Sequence, residues 1–260
     1  MLVLLPPSEG KSPGGGRRRR LDLTTLSWPE LAPAREQVID ALAEVSARPE
    51  ALALLGVGPS LSPEIERNTR LREVPALPVS ELYTGVLYDA LDLPGLPARA
   101  RSRAARQVVV VSALWGALRP GDRVPPYRLS MGTDLPGVGP LAAFWRPWLG
   151  PVLTAAAGGG LIVDCRSSTY QAPWQPPREL AARTVAVRVL REQAGRRSVV
   201  SHQAKLTRGQ VVRHLLLAEG TQPHSPAALA RLVGAAFECE LVPPAQPGRC
   251  WTLDIVRRDP

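Results

Sequence analysis

A chain of 260 residues, 45% apolar and 21% charged, carries enough apolar material for one sizeable core, and nothing in it repeats at the spacing of a solenoid or a coiled coil. Its 32 basic and 23 acidic residues leave a net charge of +9, so polyanions or phosphorylated ligands are the expected partners, although arginine-rich coding alone gives the same balance. Three widely separated cysteines, Cys165, Cys239 and Cys250, suit reduced thiols; without CxxC or histidine-rich spacing they offer no zinc site, and no cofactor is expected.

The opening Met1-Leu2-Val3-Leu4-Leu5 lacks a basic start and stops at Pro6-Pro7, which reads as a buried strand and not as a signal peptide. No segment approaches the ~18 apolar residues that span a bilayer, so a cytosolic protein is expected. Pro6 to Ser12, then Pro13 to Gly16 and the arginines 17–20, form a long, mobile, basic loop. Leu31, Val38, Ile39, Leu42 and Val45 recur at helical spacing between residues 29 and 48. Shorter helices at 49–55 and 63–72 flank Gly56-Val57-Gly58-Pro59. Clusters of β-branched residues predict strands at 107–111, 161–164, 184–190, 198–201 and 251–256, and helices fill 141–157, 203–219 and 226–237. The pattern implies an α/β fold over residues 1–260: a single compact domain with a central mixed sheet, mostly buried, covered by helices.

Of the 32 basic residues, 30 are arginine and only Lys11 and Lys205 are lysine. In so arginine-rich a chain, lysine is expected where a compact ammonium or a titratable amine is wanted. Lys11 ends "PPSEGK", where a Walker reading fails for want of a glycine at Leu5 and of a helix after Ser12, while a loop anion site survives. Gly56 and Gly58 join two helices with a glycine, hydrophobe, glycine hairpin that resembles helix-hairpin-helix motifs, whose backbone amides meet DNA phosphates; a helix connection packed on the core has the same pattern. After one predicted strand, Arg119, Asp122, Arg123, Tyr127 and Arg128 occupy a Gly- and Pro-rich connection. After another, Asp164 is followed by Arg166, Ser167, Ser168 and Tyr170, a set that a solvated loop with a helix N-cap would also show. In an open sheet these strand ends and the Lys205 junction converge on one crevice.

The segments "LYTGVLYDAL", "WGALRPGDRVPPYRLSMG", "FW", "LIVDCRSSTY" and "AKLTRG" occur in an order and spacing that resembles the YaaA peroxide-stress family from end to end. The resemblance implies one α/β domain with a basic cleft and a helix-hairpin-helix-like element, binding of double-stranded DNA, and a role in limiting iron-driven oxidative damage. By motif, the family's charged positions fall on Lys11, Arg119, Arg128, Asp164, Lys205 and Arg208. The opening "PPSEGKS" departs from the family's shorter Ser-Pro-Ala-Lys type of segment.

Two functions compete. In the first, Lys11, Gly56, Gly58, Arg119, Arg128, Arg166, Lys205 and Arg208 hold nucleic acid by its phosphates. In the second the same cleft is an active site for an anionic small molecule, with Lys11 or Lys205 as an amine of lowered pKa, Asp164 or Glu9 handling protons and arginines clamping the substrate. His202, His214 and His224 show no pairing with a nucleophile.

Overall fold

The computed structural model describes residues 1–13, 19–193, 196–199 and 201–258, so of the loop expected over residues 6–20 the stretch 14–18 lies outside the described residues. The main sheet contains β1 (Leu2–Leu5), β2 (Val108–Ser112), β3 (Gly116–Leu118), β4 (Ile162–Asp164), β5 (Thr184–Gln193), β6 (Arg196–Val199), β7 (Cys239–Val242) and β8 (Trp251–Arg258). Strand order is β7-β8-β5-β4-β1-β2-β3, with β6 paired to β5. Five of these strands run parallel, β2-β1-β4-β5-β8, with registers such as Val3 opposite both Val108 and Val163. The remaining β3, β6 and β7 are antiparallel to their neighbours, so the sheet is mixed. Every residue of β1 and β2 is buried, which is why both read as unbroken apolar runs and not as alternating ones.

The helices used below are α1 (Ala32–Ser46), α2 (Ala51–Leu54), α3 (Ser62–Asn68), α4 (Val79–Leu82), α5 (Val86–Leu91), α6 (Ala98–Gln107), α7 (Leu141–Ala157), α8 (Ser168–Gln171), α9 (Arg178–Ala181), α10 (Ser201–Leu217) and α11 (Pro226–Gly234). The strand expected at 198–201 ends at Val199, because Ser201 already opens α10. Helix α6 was not legible: "ARARSRAARQ" buries only Ala100, Arg103 and Ala104 and lacks an apolar stripe. What docks it is Arg103, whose Nη1 donates to Leu216 O at 2.8 Å and Ala218 O at 2.6 Å, carbonyls left over at the C-terminus of α10.

Helix α10 packs on β5, α5, α6 and α11. Its approach to α5 is set by Gly209, where a Cβ would lie 2.2 Å from Leu87 O and 2.9 Å from Ala90 Cβ. Gly209→Ala therefore forces the two helices apart and should cost about 1–3 kcal/mol, read as a lowered urea midpoint at unchanged m-value; a midpoint equal to wild type would refute this packing.

Candidate functional site

Because five strands share one direction, the segments leaving the C-terminal ends of β1, β2 and β4 open on the same edge of the sheet. The first of them, Pro6 to Ser12, is pinned against residues 82–84: Ser12 N donates to Leu82 O at 2.8 Å, Thr84 N donates to Gly10 O at 3.1 Å, and Lys11 forms a bridge with Tyr83. This zipper lays the Lys11 side chain over two aromatic rings. Its Nζ is 4.2 Å from the Tyr127 ring centroid and 5.7 Å from that of Tyr83, and it donates to Ser8 O at 2.9 Å and Glu9 O at 3.3 Å. No carboxylate lies within ion-pair distance among the described residues. Burial pushes the Lys11 pKa down to about 7, against the opposing pull of Glu9.

Beneath the ammonium runs a hydroxyl chain. Ser112, the last residue of β2, accepts from Leu114 N at 3.3 Å and Trp115 N at 3.1 Å, so its own proton goes to Tyr127, 2.7 Å away, and Tyr127 passes its proton to Tyr83 at 3.0 Å. Tyr88 donates to Pro6 O at 2.7 Å. Burial raises all four tyrosines, Tyr83, Tyr88, Tyr127 and Tyr170, so they stay neutral and supply no counter-charge to Lys11.

Above this floor lies a cleft of about 470 Å³, with Ser8, Glu9, Tyr88, Tyr170, Lys205 and Arg208 among its lining residues. Lys205 and Arg208 stand three residues apart at the start of α10 and so share a helix face. Neither is in an ion pair among the described residues, and Arg208 spends only Nε, on Val187 O at 3.3 Å. Lys11 itself is not a wall residue; its partners Ser8 and Glu9 are.

The other residues singled out in the sequence take different places. Arg128 is half-buried between Glu9, with which it forms a close ion pair, and Glu64 at 3.6 Å, so its charge is balanced. Asp164 and Arg166 form a buried bidentate pair at 2.9 and 2.8 Å, and Arg166 also donates to Tyr170 O and Trp174 O. That pair borders a separate 170 Å³ cavity with Thr184 and Cys250. Arg119 lies at the opposite edge of the sheet, because β3 runs back along β2; its Nη1 donates to Arg106 O at 2.7 Å and its guanidinium covers Trp28. Asp122 accepts from Ser27 N and Arg119 N, and His214 is packed on Phe237 and bonded to Leu232 O. The side chain of His202 lies outside the described residues.

Gly56 and Gly58 do connect α2 to α3 at the surface, through a 3-10 turn at Pro59–Leu61. Gly56 needs its φ of +64°, whereas Gly58 has an ordinary φ of −80° and open space around it. The connection is tied to the cleft rim: Glu64 of α3 faces Arg128, and Asn68 bonds the Arg128 backbone at both N and O at 2.9 Å. Tyr83, Tyr88 and Ser112 were not among the sequence candidates. The available signal was scarcity, since the chain has only four tyrosines, as it has only two lysines. A larger groove of about 840 Å³ beside α7 and α9 brings in charge only through Arg146 and Glu179, which balance.

A family model described as peroxide stress protein YaaA matches residues 1–239. The chain belongs to this family. Among its YaaA/UPF0246 relatives are a UPF0246 protein of Streptomyces coelicolor, 51% identical over 98% of both chains, and one of Corynebacterium efficiens, 41% identical over 98% of this chain and all of the other. A UPF0246 protein of Corynebacterium glutamicum is 38% identical with the same coverage. The family's description assigns a stress-response role. Among the described residues no helix of this YaaA-family chain is long and apolar enough to cross a membrane.

The buried amine has a consequence for stability. Between about pH 7 and 10.5 the unfolded chain holds a proton on Lys11 that the folded chain has released, so this group makes unfolding free energy rise with pH in that window and adds no slope below it. Lys11→Met removes that contribution. Urea unfolding of both proteins at pH 7 and pH 9 should show the wild type gaining on the variant at the higher pH; parallel behaviour would mean an amine of ordinary pKa.

Proposed function

We propose that this YaaA-family protein serves the peroxide stress response in the cytoplasm by binding double-stranded DNA through the basic cleft, and that coverage of the duplex limits iron-driven oxidative damage to it. The observation that carries the proposal is the pair Lys205 and Arg208, on one face of α10, both lining the cleft and without an acidic partner among the described residues. Beside them Ser8, Ser167 and Thr169 offer hydroxyls. Cations and hydroxyls on one wall suit phosphate oxygens and carry no base-sequence information. The Gly56 to Gly58 connection acts in the proposal as a helix-hairpin-helix-like second contact, joined to the cleft through Glu64, Arg128 and Glu9. Among the described residues no three His, Cys, Asp or Glu side chains gather as a metal site.

Arg208→Ala and Lys205→Ala should each weaken duplex binding about equally for unrelated sequences and lower the slope of log K against log salt by about 1. Unchanged slopes would remove the cleft from the interface. The hairpin is tested at Gly58 alone, because Ala at Gly56 strains a left-handed backbone by about 1 kcal/mol whatever the DNA does. A folded Gly58→Ala variant should bind duplex DNA several-fold more weakly; wild-type affinity would leave the hairpin without a role.

A second reading, an enzyme for an anionic small molecule or nucleotide-like substrate in the same cleft, is favoured by one observation: Lys11 is a partly buried amine beside the cleft, its pKa pushed down to about 7. Duplex affinity that is absent at low salt while small anions protect the cleft from modification would favour it.

A further inference from the structure

We infer that the Lys11 amine forms a reversible imine with an aldehyde held in the cleft, and that the ligand class it serves is the ring-opened deoxyribose of an abasic site in DNA. The choice of ligand rests on the DNA-binding reading above; the reactivity of the amine does not.

An amine at position 11 is conspicuous in a chain that uses arginine at 30 of its 32 basic positions, because a guanidinium cannot act as the nucleophile. Among the described residues no carboxylate lies within ion-pair distance of Nζ. The amine has two backbone carbonyls as acceptors and two aromatic faces, Tyr127 and Tyr83, whose hydroxyls keep their protons. The charged groups that act on it are Glu9, Glu64 and Arg128, and these are engaged with one another. Burial outweighs them and pushes the pKa of the amine down to about 7, toward the neutral, nucleophilic form. Lys205, exposed on the cleft wall, has none of this enclosure.

The cleft supplies the substrate geometry. The carbonyls that hold Nζ belong to Ser8 and Glu9, which line the cleft, so the amine lies directly behind that wall, and the inferred reaction has the end of the lysine turn from these carbonyls toward the cleft. A volume of about 470 Å³ accommodates a sugar with its flanking phosphates, with Lys205 and Arg208 placed for the latter. A sugar without a base leaves the duplex at lower cost than a stacked nucleotide. In the reaction the Nζ lone pair attacks C1′ of the open-chain sugar and a C–N bond forms. The carbonyl oxygen leaves as water with the two hydrogens of the neutral amine, and hydrolysis returns both partners. No oxidant or reductant is required.

The test is reductive trapping on the full chain with sodium cyanoborohydride at pH 7, in two arms. In the first, 2-deoxyribose 5-phosphate is the probe and the adduct is located by peptide mass mapping, which is decisive because the only candidate amines are Lys11, Lys205 and the Met1 α-amine at the far end of β1. Labelling should favour Lys11 over Lys205 by at least tenfold and be lost in Lys11→Arg; labelling of Lys205 or Met1 with Lys11 untouched overturns the inference. In the second arm a duplex with one abasic site is compared with an intact duplex. A covalent complex through Lys11 with the abasic duplex only is the expected result. If the intact duplex binds and the abasic duplex gives no covalent complex, the assigned ligand class is wrong. If neither duplex binds, the DNA reading fails and takes the assigned ligand with it, while the sugar-phosphate arm still decides the amine.

Discussion

Strands that are buried on both faces can leave no polar group unpaired along their length, and this constraint places everything else in the molecule. β1 and β2 are buried at every residue, so polar chemistry is expelled to their ends. The last residue of β2 is Ser112 and that of β4 is Asp164, the one anchoring the tyrosine hydroxyl chain and the other locked to Arg166. Parallel pairing then gathers the Pro6 to Ser12 segment and the loop after β4 on one edge, where α10, held close to α5 by Gly209, brings Lys205 and Arg208 to the same cleft.

Lysine and arginine divide the work by geometry. The fully buried Arg35 donates to four backbone carbonyls, those of Ser27, Trp28, Trp115 and Ala117, and burial lowers its pKa to about 10. Arg103 and Arg213 serve the carbonyl ends of α10 and α5. A planar fork with five donors can satisfy several carbonyls at once, which an ammonium on a flexible stem does less well. Much of the net charge of +9 is therefore structural mortar and does not measure affinity for polyanions.

The five parallel strands were legible, the central ones because burial on both faces writes an uninterrupted apolar run, as in "LVLL", "VVVV" and "LIVD", whereas the short antiparallel β3 and β7 were not. Helix α7 was legible over its whole length, Leu141–Ala157, despite Pro147 and Pro151, since its apolar face is long. Helix α6 was not, because alanines and one carbonyl-capping arginine replace the expected stripe, nor were the short α4 and α5, which are too brief to show a period. At the site, rarity exposed Lys11 and Lys205, and the end of a strand at Asp164 with Arg166 just beyond it was legible, while the Asp164–Arg166 ion pair was invisible.

Sequence alone therefore determined the family resemblance, the α/β class, the central strands and the two lysines, since each is recorded in local order or composition. The tertiary structure decided which charges are free and which are consumed. Arg119 and Arg166 cannot be told from Arg208 along the chain, yet one stacks on Trp28 at the far edge, one is buried against Asp164, and one faces the cleft. The shift of the Lys11 amine and the packing of Tyr83 and Tyr127 against it bring together residues 72 and 116 positions apart from the lysine, and solvent exclusion by such partners exists only once the sheet has assembled them.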